Sequence, residues 1–111
     1  MTSMNDAEQV NKHTPGAWVA EGSMVRGGEG IYLDDPIASV YDPNDQHHLT
    51  PTTKANARLI AAAPELLAAL EAWAELDAAH ANGMRQDEYD HEYKRLTQTS
   101  VRVIAKARGV A

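Results

Sequence analysis

An α+β fold is predicted for this chain: a small N-terminal antiparallel β-meander of three to four short strands, followed by a proline-broken helix and an antiparallel helix hairpin. Three observations carry the prediction. Short apolar stretches between residues 17 and 41 alternate with breaks rich in glycine and aspartate. Pro64 interrupts an Ala/Leu-rich run that otherwise reads as helix throughout. Residues 86–108 repeat their apolar positions at steps of four and three.

Residues 1–12 are polar and aperiodic, the pattern of a flexible N-terminal tail, so a single domain is expected over 13–111. Within it, residues 13–42 form the meander. Its strand candidates are Ala17 to Glu21, Met24 to Arg26, Ile31 to Leu33 and Ile37 to Tyr41, divided by Gly22-Ser23, Gly27-Gly28-Glu29-Gly30 and Asp34-Asp35-Pro36. Connections this short cannot make a parallel crossover, so the strands must run antiparallel. Trp18, Val25, Ile31, Leu33, Ile37 and Val40 are the expected inward residues.

A polar linker with two prolines, residues 43–51, leads to the helices, and Thr52 or Thr53 is expected to cap the first of them. Residues 52–81 read as one kinked or broken helix. Pro64 suits the first turn of a new helix, and Glu65 beside it favours the positive end of the dipole, so the break is placed at Ala63-Pro64. Leu66, Leu67, Leu70, Trp73 and Leu76 then share a face, and Asn82-Gly83 is a stop signal. The C-terminal helix, 86–108, carries Tyr89, Tyr93, Leu96, Ser100, Val103 and Ala107 as a narrow stripe that matches the preceding helix, and Gly109 ends it. Its acidic start (Asp87, Glu88, Asp90, Glu92) and basic end (Arg102, Lys106, Arg108) complement the helix dipole.

With 111 residues the chain can form one modest core. The absence of cysteine excludes a disulfide framework and a thiolate zinc site. No apolar run approaches the roughly 20 residues of a membrane span, and the first residues lack the pattern of a signal peptide, so a cytoplasmic protein, with no membrane partner, is expected. A net charge of −6 repels phosphate backbones and argues against direct nucleic-acid binding.

Two motifs stand out: His13-Thr-Pro-Gly-Ala-Trp18, and Asn56-Ala-Arg-Leu-Ile-Ala-Ala-Ala-Pro-Glu-Leu-Leu-Ala-Ala-Leu70. Together they resemble a family of small phage and prophage proteins, mostly of unassigned function, that pair an HTPGxW opening with an NARLIAAAPELLxAL centre. The resemblance covers most of residues 13–108. It implies an accessory protein that acts stoichiometrically in the host cytoplasm, host defence being one target of such proteins.

Seven residues are candidates for binding. His13, Thr14 and Trp18 surround the opening turn, where an imidazole, a hydroxyl and an indole could grip a planar polar ligand; the same three also suit a turn held by local hydrogen bonds over a core tryptophan. Asn56 and Arg58, in the first helical piece, could bind a phosphate or carboxylate, unless Arg58 simply pairs with Glu65 or an aspartate. Arg26 would meet phosphate, and Tyr32 offers a stacking ring. His47-His48 beside Asp42 and Asp45 reads as a solvated loop rather than a metal site, because ligand pairs recur at spacings a helix or strand sets. Asp87 and His91, one helical turn apart, read as a surface pair.

No nucleophile with a base, no carboxylate pair and no metal-ligand set stands at an informative spacing, so neither catalysis nor a cofactor is expected. The leading expectation is capture of a small anionic, nucleotide-like ligand, serving counter-defence by sequestering a signalling molecule. The alternatives are an acidic inhibitor or adaptor that blocks a host defence protein, and a small metal-dependent hydrolase. A homodimer through the helical half is expected, since two helices over one sheet leave apolar surface uncovered.

Overall fold

A computed structural model describes residues 13–28, 35–41 and 50–110. Three strands are followed by three helices: β1 (Trp18–Glu21), β2 (Met24–Gly27), β3 (Asp35–Ser39), α1 (Pro51–Ala61), α2 (Ala63–Ala81) and α3 (Gln86–Arg108). The α+β class holds, with the meander first and the helices after it. The tail over 1–12, the strand candidate Ile31 to Leu33 and the histidines of the linker lie outside the described residues.

The sheet has the order β1-β2-β3, both pairs antiparallel. Glu21 pairs with Met24 across the Gly22-Ser23 turn. The third strand begins two residues earlier than the sequence suggests, and its register slips: Val25 faces Ala38 while Arg26 faces Pro36, leaving Ile37 as an extra residue. A bulge beside proline is the usual accommodation, because Pro36 has no N–H to give the ladder and β3 is an edge.

Thr50, rather than Thr52 or Thr53, caps α1. Its Oγ1 accepts from the Thr53 backbone N at 3.3 Å, with Pro51 as the first helical residue. Proline fixes a helical φ at a position whose N–H would be orphaned in any case, so the helix starts at the proline. One face of α1, Thr53, Ala57 and Ala61 at steps of four, is buried. Alanine at 57 and 61 lets the helix backbone approach the sheet closely, where Val25 and Val40 complete the core and Trp18, Ala20, Ile37, Ala38 and Ile60 pack around it.

The helical run breaks where proline requires it. Ala62 leaves the helix, its N–H still bonded to the Arg58 and Leu59 carbonyls, and α2 restarts at Ala63 with Pro64 in its first turn. At the other end Met84 N donates to Ala79 O at 3.0 Å and Gly83 N to His80 O at 3.2 Å, satisfying carbonyls the helix leaves free. The two long helices then form the expected hairpin. Trp73 Nε1 donates to Ser100 Oγ at 2.9 Å, the Trp73 and Tyr93 rings meet edge to face, and His80 packs on Tyr89. Leu76 and Leu96 are buried between them. Leu67 and Leu70, expected on the same inward face, are exposed, because a single partner helix covers a narrower arc of α2 than the apolar positions span. Among the described residues no helix is long and apolar enough to cross a membrane.

Candidate functional site

The seam between the sheet and the helices is built from three elements. β1 contributes Trp18 to Ala20, with Ala17 just before it, α1 contributes Arg58 and Ala61 from its last turn, and α3 contributes Lys106 from its own last turn; together they line a cavity of about 260 Å³. Arginine and lysine suit these places locally, since the carbonyl end of a helix favours a cation. Lys106 Nζ donates to Glu65 Oε1 at 2.6 Å and to the Trp18 carbonyl at 3.4 Å, tying α3 to both α2 and β1. Glu65 thereby offsets the lysine's charge. Among the described residues Arg58 has no such partner: its Nε is buried without a hydrogen bond, as is Glu65 Oε2. Its guanidinium lies against Gly109, where a Cβ would overlap it.

The opening motif organises itself. The Thr14 carbonyl accepts from Trp18 Nε1 at 3.0 Å, and His13 Nδ1 lies 2.9 Å from the same oxygen. The His13 and Trp18 rings stand edge to face with centroids 5.7 Å apart. Trp18 packs on the core and also lines the cavity.

The remaining candidates are dispersed. Asn56 and Arg58 are two residues apart on α1, hence about 200° apart around its axis. Asn56 accordingly faces a separate apolar groove of about 520 Å³ lined by Ala55, Leu59, Leu66, Ile104, Ala107 and Arg108. Since α1 starts at Pro51, Arg58 falls in its last turn, away from the free amides of the first. Arg26 pairs with Val19 across the sheet, on the face opposite Ala20 and Val25, with its Nε 3.6 Å from Glu21 Oε2. Tyr32 lies outside the described residues. The structure thus brings Arg58 and Trp18 to one cavity, with His13 and Thr14 held to the tryptophan rather than to the arginine, and keeps Arg26 and Asn56 elsewhere.

Lys106 is the residue the sequence reading missed as a site member. Its place in the basic last turn of α3 was explained by the helix dipole, and nothing local signals that this turn meets β1. The suggested Arg58–Glu65 pair is replaced by Lys106–Glu65. Asp87, paired in expectation with His91, accepts instead from Arg85 Nη2 at 2.9 Å. Among the described residues no three His, Cys, Asp or Glu side chains come together as metal ligands.

A family model described as Salmonella phage P22 protein Y8K6 matches residues 1–111. None of the curated proteins and none of the solved structures matches the chain.

Proposed function

The chain belongs to the Salmonella phage P22 protein Y8K6 family, and we propose that it acts by stoichiometric binding, capturing a small anionic, nucleotide-derived molecule at the seam. The supporting observation is Arg58, which lines the cavity beside Trp18 and, among the described residues, has no carboxylate partner, while the neighbouring lysine is already neutralised by Glu65. A phosphate oxygen in the cavity would give the guanidinium the charge-assisted hydrogen bond that no carboxylate among the described residues supplies. The cavity, about 260 Å³, falls short of the roughly 300–1,000 Å³ that encloses a whole drug-sized ligand. The phosphate end therefore enters beside Arg58, with Trp18 as an apolar wall, while sugar and base stay outside near His13. In a phage protein, holding such a signal in the host cytoplasm serves counter-defence.

The test is a thermal-shift panel of inorganic phosphate, cyclic and linear nucleotides and ADP-ribose derivatives. A binder at a hundred times its Kd adds about 2.7 kcal/mol, a rise of several degrees in Tm. Arg58→Ala should abolish the rise. Absence of any shift across the panel, or a shift retained in Arg58→Ala, refutes this reading.

A second reading, an acidic blocker of a basic surface on a host defence protein, is favoured by the concavity of about 370 Å³ at the start of α3, lined by Met84, Asp87, Glu88, His91 and Glu92. It requires salt-sensitive capture of one defined host protein, lost in Asp87→Lys/Glu88→Lys.

A further inference from the structure

The hairpin carries a second, largely apolar stripe that the described residues leave exposed. On α3, Thr97, Val101, Ile104 and Arg108 recur at steps of four and three, with Tyr93, whose ring also meets Trp73, at the edge shared with the joining stripe; on α2, Leu67, Leu70, Ala74, Ala78 and Ala81 recur in the same way. Both stripes lie a quarter to a third of a turn round from the stripe that joins the two helices, in the same rotational sense. In antiparallel helices that places them on one side of the hairpin. Leu70 is 68% exposed, Val101 62%, Tyr93 49%, Leu67 47% and Ile104 44%. The other side of α3 is polar, with Glu88, Glu92, Arg95, Arg102 and Lys106, and Lys106 closes onto the seam there.

We propose that this face binds a second copy of the chain, antiparallel about a two-fold axis near Thr97 and Val101, making a four-helix bundle. Three arguments favour that occupant. Leu76 and Leu96 are the only buried residues of α2 and α3 among the described residues, a very small core for helices of 19 and 23 residues. At about 1.5 Å per residue and 10 Å per helix width the face measures roughly 30 by 20 Å, the scale of the ~800 Å² per partner that stable interfaces bury. Charge is self-complementary: the face ends in Asp77 and Asp90 at one pole and in Arg108 at the other, so a two-fold axis sets the acids of one copy against the arginine of its partner. Alanines at 74, 78 and 81 permit close approach of the backbones. Seated this way, the second copy leaves the seam cavity open.

Sedimentation equilibrium of the full chain at tens of micromolar tests the proposal. The expected mass is twice the 12.1 kDa of one chain, falling to the single-chain value in Leu70→Glu and in Val101→Glu. Helical circular dichroism in both variants reports that the chain still folds. Arg108→Glu should weaken the dimer at least tenfold, and adding Asp90→Arg should restore it. A wild-type mass of 12.1 kDa overturns the proposal, as does a dimer indifferent to both glutamate variants. Failure of the charge swap to restore association overturns the antiparallel pairing.

Discussion

Replacing Gly109 with alanine tests the packing that sets Arg58 at the seam. Gly109 has φ 74°, in the left-handed region, where an L side chain costs about 1–2 kcal/mol. An added Cβ would also overlap the Arg58 guanidinium and its Cδ. Gly83 provides the comparison, because it has φ 99° and nothing within 4 Å of an added Cβ; Gly83→Ala carries the conformational cost alone. Displacing Arg58 forfeits the packing of its apolar stem, about 1 kcal/mol for a half-buried arginine. The expected losses are thus about 1–2 kcal/mol for Gly83→Ala and about 2–3 kcal/mol for Gly109→Ala, read from urea unfolding followed by circular dichroism. In an Arg58→Ala background the cost of Gly109→Ala should fall to that of Gly83→Ala, a coupling of about 1 kcal/mol. An equal cost for Gly109→Ala with and without the Arg58 side chain would refute the contact, and with it the account of how the guanidinium is held.

Two further outcomes are expected. Trp73→Phe keeps the ring contact with Tyr93 but loses the bond to Ser100 Oγ, and should destabilise the hairpin by about 1–2 kcal/mol in the same urea assay; no measurable change would mean that this bond is not made in solution. Arg95 donates to Glu92 Oε2 from Nη2 at 2.7 Å and from Nε at 3.0 Å. These bonds are the largest cause holding the Glu92 carboxyl below the ordinary glutamate value, with the Arg95 and His91 charges adding to them and burial opposing. A carboxyl lowered in the folded state contributes stability that is fully present above its unfolded pKa of about 4.3 and is lost as pH falls through the lowered folded value. NMR titration of the Glu92 side chain should show its midpoint rising toward that ordinary value in Arg95→Gln, and an unmoved midpoint would contradict the assignment.

Local chemistry made much of this protein legible in its sequence. Pro64 lacks the N–H a helix interior needs, so the break beside it was readable. The left-handed tolerance of Gly83 and Gly109 marked two helix ends, and the four-three stripe from Tyr89 to Ala107 announced the hairpin. The start of α1 was misplaced because several threonines compete as caps, and Pro51 decided among them. The separation of Asn56 from Arg58 was also within reach, since two helical residues cannot point the same way. Where Arg58 points could not be read, nor that Lys106 arrives beside Trp18 from 88 residues away. Helix boundaries depend on backbone rules satisfied within a turn or two of chain. The seam depends on which faces meet, and that is decided by the packing of α1 on the sheet and of the end of α3 against both.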